Sequence, residues 1–146
     1  FGVAWTQAGD TDRALHWFER AVAANDGSAS VKSAEQRANL LARRAWARVE
    51  AAPTAQQRAR AIAAARQDIA QARQALQALV AVAPTLERES LLGSACKRLA
   101  LVERAAGEAA FEARALVDMA THYGRAEAIA LQQGHAESFY PALNLL

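Results

Sequence analysis

The sequence predicts an all-α fold, and its composition is the first reason. Alanine supplies 40 of the 146 residues, and it has the highest intrinsic helix propensity of any residue. The β-branched and aromatic residues that favour strands are sparse and never alternate with polar residues over a useful window. A chain of this length can bury a core without disulfides or a structural metal. We therefore expect one all-helical domain over residues 1–146.

Helix-breaking residues divide the chain into long segments. The breaks fall at Gly9, Gly27, Pro53, Pro84, Gly107 and Gly134. They predict seven helices, at about 1–8, 11–25, 29–51, 54–82, 86–106, 109–132 and 138–146. Because the connections are short, consecutive helices must run antiparallel. This predicts hairpins at about 1–26, 29–83 and 86–133, followed by a partial helix at 138–146.

Apolar residues recur at helical spacing within the long segments, which predicts a buried stripe along each. In segment 54–82 the stripe comprises Ile62, Ala65, Ile69, Ala72, Leu76 and Leu79. Segment 29–51 carries Val31, Ala34, Ala38, Leu41, Ala45 and Val49, and segment 86–106 carries Leu92, Cys96, Leu99 and Ala106. We interpret these stripes as core.

Positive charge is concentrated in one part of the chain. Between Lys32 and Arg73 there are nine basic residues and three acidic ones, a net charge of +6 within a chain whose total is +2. Such a segment can attract an acidic peptide or nucleic acid by long-range electrostatics. The alternative is that these arginines are the solvated faces of alanine-rich helices.

The sequence lacks the residue patterns of known catalytic and cofactor sites. His16, His122 and His135 show no metal-ligand spacing with each other, with Cys96 or with a carboxylate. No glycine-rich phosphate loop follows a strand, and the serines flanking Leu92–Gly93 have no nucleophile-elbow context. We expect neither enzymatic activity nor a cofactor.

Cys96 and the hydropathy of the chain indicate in which cellular compartment the protein is expected. A single cysteine cannot form an internal disulfide, and we expect it to be a buried structural thiol on its apolar stripe. No stretch approaches about 18 uncharged apolar residues, and the N-terminus lacks the regions of a secretory signal. These features favour a cytoplasmic protein without membrane insertion.

The first 26 residues resemble the tetratricopeptide repeat. Gly2 and Trp5 stand on a first helix, Gly9 and Asp10 form a turn, and residues 14–22 supply the alanine, aromatic and alanine of a second helix. Leu92–Gly93 with Cys96 resembles another first helix, and His122–Ala126 resembles another second helix. The matching signature positions are Gly2, Trp5, Gly9, Ala14, Phe18, Ala21, Gly93, Tyr123 and Ala126. The family usually has proline where this chain has Asp26, and its hairpins are shorter, so we infer divergent, elongated repeats.

The resemblance implies a right-handed stack of hairpins whose first helices line a concave groove. Groove positions carried over from the family fall on Lys32, Glu35, Asn39, Arg43, Ser90, Ser94, Lys97 and Arg98. It further implies a non-catalytic module that binds a peptide or protein segment there, with an acidic partner favoured by these cations. Residues 91–94, Tyr123 and 139–144 also look like repeats found beside signalling domains in bacterial regulatory proteins.

Two other functions fit the sequence. One is an architectural helical bundle that self-associates through its alanine-rich stripes. The other is a nucleic-acid-binding repeat, in which Trp5, Trp17, Phe18 and Trp46 would stack on bases; core packing explains Trp5 and Phe18 better. The basic residues are scattered around their helices, which argues against nucleic acid.

Both ends of the sequence point to a longer parent protein. Phe1 opens inside a predicted first helix, and Ser138 with Pro141 starts a new helix that reaches Leu146. With Phe139, Tyr140 and Leu143, this last helix is expected to expose apolar surface and to drive homo-oligomerisation.

Overall fold

Five α-helices make up most of the described chain. The computed structural model describes residues 11–23 and 27–134. The helices are α1 (Thr11–Ala23), α2 (Gly27–Ala51), α3 (Ala55–Val82), α4 (Leu86–Ala106) and α5 (Ala109–Gln132). No strand occurs within these residues, which confirms the all-α class. The bounds of all five lie within two residues of those predicted, and the predicted helices 1–8 and 138–146 lie outside the described residues.

Local chemistry sets where the central helices begin and end. The Thr54 hydroxyl accepts a hydrogen bond from the Gln57 N–H at 3.1 Å, and the Thr85 hydroxyl accepts one from the Arg88 N–H at 3.0 Å. Each threonine satisfies an amide that has no partner inside its own helix. At the end of α4, Gly107 takes φ = 75°, a left-handed conformation that glycine adopts without strain. The chain therefore turns sharply between α4 and α5.

The helices pack as a stack of hairpins. Each helix contacts the next one in the chain, and α2 also contacts α4, although they belong to consecutive hairpins. On α3, which contacts both, the buried residues are Ile62, Ala65, Ile69, Ala72 and Leu76. The alanines among them allow the neighbouring helices to approach closely. This packing is the one expected of a repeat solenoid and confirms the predicted architecture.

One residue of the predicted stripes is exposed. Val31 is 39% exposed, so its assignment to the core stripe of the second hairpin was wrong. Further along α2, Ala38, Leu41 and Val49 are buried as predicted. Val31 lies near the start of α2, where it lines a cavity.

Gly93 and Tyr123 form a close contact between α4 and α5. A Cβ placed on Gly93 would lie 2.7 Å from Cε1 of the Tyr123 ring, closer than van der Waals contact permits. The ring is fully buried, and its hydroxyl lies 3.0 Å from Ser94 Oγ. The repeat resemblance assigns a small residue to Gly93 and an aromatic to Tyr123, and the structure brings the two into contact.

The remaining signature positions divide into two groups. Ala14 and Ala126 are fully buried. Gly2, Trp5 and Gly9, and the side chains of Phe18 and Ala21, lie outside what the structure describes.

Substituting Gly93, at this contact, and Gly124, next to Tyr123 in the chain, should have opposite effects on stability. Gly93→Ala must displace the Tyr123 ring, and we expect a loss of about 1–3 kcal/mol in the free energy of unfolding. Gly124→Ala, where an added Cβ meets nothing within 4 Å, should instead stabilise α5 by about 0.5–1 kcal/mol. Urea denaturation of both variants measures the difference. A loss of similar size from both would contradict the proposed contact.

Candidate functional site

A cavity of about 810 Å³ lies between the first halves of α2 and α4. Its apolar lining comes from Val31 on α2 and from Leu86 and Leu91 on α4. The polar lining consists of Lys32, Glu35, Thr85, Glu87, Ser90, Ser94 and Gln133. A cavity of this size is within the range of sites that bind drug-sized ligands or a few side chains.

Lys32 is neutralised at the rim of the cavity. Its Nζ lies 2.7 Å from Glu87 Oε1 and 3.7 Å from Glu35 Oε2. The hydrogen bond to Glu87 raises the pKa of Lys32 above its ordinary value. Because the Lys32 and Glu87 side chains are both at least half exposed, this pair adds little to stability. Its main effect is to remove a free positive charge from the site.

Arg88 joins three helices beneath the cavity. Its Nε donates to Glu35 Oε1 at 2.9 Å, and its Nη1 donates to the carbonyl oxygens of Leu79 at 3.2 Å and Ala83 at 2.6 Å. The Leu79 oxygen also accepts the Ala83 N–H at 3.0 Å, whereas the Ala83 oxygen belongs to the cap of α3, where backbone oxygens have no intrahelical donor. Arg88 therefore neutralises a buried carboxylate of α2 and caps α3 from α4.

Hydroxyl groups on α4 form the polar part of the cavity wall. Ser94 Oγ is hydrogen-bonded to Tyr123 Oη, whereas Ser90 Oγ is buried with no hydrogen-bond partner among the described residues. Behind the wall, Glu89 Oε2 lies 3.0 Å from His122 Nδ1, and both side chains are buried. Buried polar groups are nearly always hydrogen-bonded, and Ser90 Oγ is an exception within the described residues.

The predicted groove residues divide into two sets. Lys32, Glu35, Ser90 and Ser94 line the cavity, although Glu35 is occupied by its ion pairs. Asn39, Arg43, Lys97 and Arg98 are not among the lining residues.

The second set lies further along the same two helices. Since α3 separates α2 from α4 in the chain, α2 and α4 run in the same direction. The contact between Lys32 and Glu87 fixes an offset of 55 residues between them. The same offset brings Asn39 to about the level of Ser94 and Arg43 to about the level of Arg98. Lys97 and Arg43 are exposed.

The apolar part of the cavity was not predicted from the sequence. Val31 was assigned to the core, and Leu86 and Leu91 were assigned no binding role. The sequence did contain one indication of it. Leu86 and Leu91 do not belong to the apolar stripe of α4 that includes Leu92, so they lie elsewhere on the surface of that helix. Nothing in the sequence around Glu87 indicated that it lines the cavity, because its ion-pair partner, Lys32, is 55 positions away in the chain.

Most cations of the basic segment pair with carboxylates of other helices. Six of its nine cations pair with carboxylates: Lys32 with Glu87, Arg37 with Glu19, Arg44 and Arg48 with Asp12, Arg66 with Glu103, and Arg73 with Asp118. The Arg66 guanidinium reaches both carboxylate oxygens of Glu103, at 2.6 and 3.0 Å. These six cations are therefore ion-paired, although Lys32, Arg48 and Arg66 remain at least 40% exposed. Trp46 is half-buried against the core, and Trp17 is 36% exposed.

The described residues contain neither a membrane-length apolar helix nor a metal-binding cluster. No helix within 11–23 or 27–134 is both long and apolar enough to cross a bilayer. In the same ranges no three or more histidine, cysteine or acidic side chains converge as a metal site would require.

Cys96 should be unreactive in the folded chain. Its burial, which was predicted, raises the pKa of the thiol to about 11. At pH 8 about one native molecule in a thousand then carries a thiolate, so disulfide reagents should react about two orders of magnitude more slowly than with the urea-unfolded chain. As the pH rises from about 9 towards 11, the folded state retains a proton that the unfolded state loses, and stability should fall. Rapid labelling of native protein at pH 8 would contradict this.

Replacing Arg88 should be costly because it leaves a buried carboxylate unpaired. We expect Arg88→Met, which keeps the aliphatic volume, to lower the free energy of unfolding by about 3 kcal/mol. Arg58→Met, at an exposed position of α3, should change it by less than about 0.5 kcal/mol. The double variant Arg88→Met with Glu35→Gln should lose less than the sum of the two single losses. Additive losses in urea denaturation would show that the pair is not coupled.

Comparison with known proteins identifies the family. The model of the family described as Tetratricopeptide Repeats-Sensor (TPR-S) matches residues 10–146. No curated protein matches the chain, and no solved structure does. The matched range includes every described helix, and with them both helices that form the cavity. The chain belongs to the TPR-S family.

Proposed function

We propose that this chain is a non-catalytic interaction module that binds a segment of a partner protein between α2 and α4. The observation that carries the proposal is the cavity of about 810 Å³ on the two first helices of consecutive hairpins. Both walls belong to packed helices, so binding requires little ordering of the module itself. Membership of a repeat family whose description includes a sensor role supports binding, rather than chemistry, as the task of this surface.

The cavity suits an apolar side chain better than an acidic one. Val31, Leu86 and Leu91 provide apolar surface, and the cations beside them are already paired with Glu35 and Glu87. A carboxylate entering here would meet two carboxylates that hold these cations. The Ser90 hydroxyl can hydrogen-bond a backbone or side-chain group of the partner.

An acidic residue of the partner fits further along the groove. Arg43 and Lys97 are exposed cations near the same level of α2 and α4, about two turns beyond the middle of the cavity. The proposed ligand is therefore an extended or helical segment with an apolar anchor at one end and an acidic residue towards the other. This order of an apolar and an acidic residue in the ligand would match the change along α2 and α4 from an apolar cavity to exposed cations.

Two pairs of variants test this proposal on a peptide array. Val31→Asp should weaken a groove ligand at least about tenfold, because it puts charge where an apolar side chain is bound. The matched control is Val82→Asp, at an exposed valine of α3 outside the cavity, which should have no effect. Replacing Lys97 and Arg98 with alanine should also weaken binding about tenfold, whereas replacing Arg58 and Arg60 should not.

The outcomes separate the alternatives. Equal losses from both arginine-containing pairs, at fixed salt, would indicate nonspecific attraction to positive charge. Equal losses from Val31→Asp and Val82→Asp would remove the cavity from the interaction. Failure to bind any peptide would favour the architectural, self-associating bundle.

A further inference from the structure

The two carboxylates that line the α2–α4 cavity have different partners. Glu35 is buried, with 7% of its side chain exposed, and its Oε1 accepts a hydrogen bond from Arg88 Nε at 2.9 Å. Glu87 is 50% exposed, and its Oε1 accepts a hydrogen bond from Lys32 Nζ at 2.7 Å. Glu35 Oε2 lies further from Lys32 Nζ, at 3.7 Å. Glu87 is therefore the closer partner of Lys32, and Glu35 is committed to Arg88.

The Lys32–Glu87 pair joins the two walls of the cavity. Lys32 belongs to α2 and Glu87 to α4, and both side chains line the cavity. Because an exposed ion pair adds little to stability, Glu87 can lose its charge without loss of the fold. Removing the charge of Glu35 would instead leave Arg88 without its buried partner. Of the two carboxylates, only Glu87 can be changed without disturbing the walls.

The charge of Glu87 balances that of Lys32 at the cavity. Lys32 and Arg88 supply two positive charges, and Glu35 and Glu87 supply two negative charges, so these four side chains sum to zero. Without the charge of Glu87 the four would carry a net positive charge. That charge would lie on Lys32, whose side chain is 57% exposed beside the apolar lining. A single carboxylate thus decides whether the cavity offers a free cation.

We propose that Glu87 is the specificity-determining residue of the cavity: by holding Lys32 it excludes a ligand group that carries a carboxylate and admits a neutral apolar group. The inference rests on the proposed function, since it concerns which group of the partner occupies the cavity. A carboxylate can reach Lys32 only by displacing Glu87, and it would then lie close to the like charges of Glu35 and Glu87. A neutral group leaves the ion pair intact and gains contact with the apolar lining.

Glu87→Gln tests the proposal, because glutamine keeps the size of the side chain and can still accept a hydrogen bond, so that the charge alone is removed. The probes are hexanoate and hexanamide, which share an apolar tail and differ in the charge of the head group, and NMR titration measures their affinities. Glu87→Gln should bind hexanoate at least about tenfold more tightly than the unsubstituted chain does, because Lys32 becomes available to the carboxylate. The affinities of the two proteins for hexanamide should agree within about threefold.

Two further variants are matched controls. Asp12→Asn changes the net charge by the same amount and releases Arg44 and Arg48, but Asp12 does not line the α2–α4 cavity. Its affinity for hexanoate should therefore equal that of the unsubstituted chain. In the double variant Lys32→Met with Glu87→Gln the released cation is absent, so the gain for hexanoate should disappear. Circular dichroism checks that each variant remains folded.

Three results would overturn the proposal. One is equal affinity of the unsubstituted chain and of Glu87→Gln for hexanoate. Another is a gain that Asp12→Asn shares or that persists in the double variant, which would indicate attraction to positive charge elsewhere. The third is binding of neither probe to any of these proteins, which would show that the cavity does not admit such groups. If the probes bind as expected and no peptide of the array does, the proposed function fails and the role of Glu87 stands.

Discussion

The hydrogen bonds of Arg88 are the interaction on which the rest of the described fold depends. Its guanidinium binds Glu35 of α2 and two carbonyl oxygens at the end of α3, while its backbone belongs to the first turn of α4. One side chain thus caps the end of α3 and connects α4 to α2. Because the cavity lies between α2 and α4, its width follows from the same contacts. Because Glu35 is buried, its carboxylate would destabilise the fold if Arg88 were not paired with it.

The next residue extends this organisation to the last hairpin. Glu89 lies 3.0 Å from His122 of α5, and one turn further along α4 the Gly93 backbone accommodates the Tyr123 ring. α4 therefore makes polar contacts to α2 and α3 through Arg88 and to α5 through Glu89 and Ser94. This explains how alanine-rich helices adopt one register: alanines permit many close packings, and hydrogen-bonded pairs select among them.

The sequence was sufficient for local structure and insufficient for the site. Helix bounds followed from glycine, proline and threonine positions, and the burial of Ile69, Leu76 and Cys96 followed from helical spacing. These features depend on residues a few positions apart. The neutral character of the cavity depends on contacts across 53 and 55 positions, Glu35 with Arg88 and Lys32 with Glu87. Nothing local distinguishes a lysine that is paired across two helices from one that is free, so a cationic groove was the natural expectation.

The pairing of charges also gives the groove a direction. At the cavity end the cations are occupied, so in the proposed binding mode affinity would come from apolar contact and the Ser90 hydroxyl. Towards Arg43 and Lys97 the cations are exposed, so in the same binding mode affinity would come from charge. These two contributions respond differently to salt, because screening weakens exposed charge pairs and leaves apolar burial largely intact. A ligand bound in the proposed orientation places its apolar group at one end and its acidic group at the other, whereas the reversed orientation would bring its carboxylate against Glu35 and Glu87.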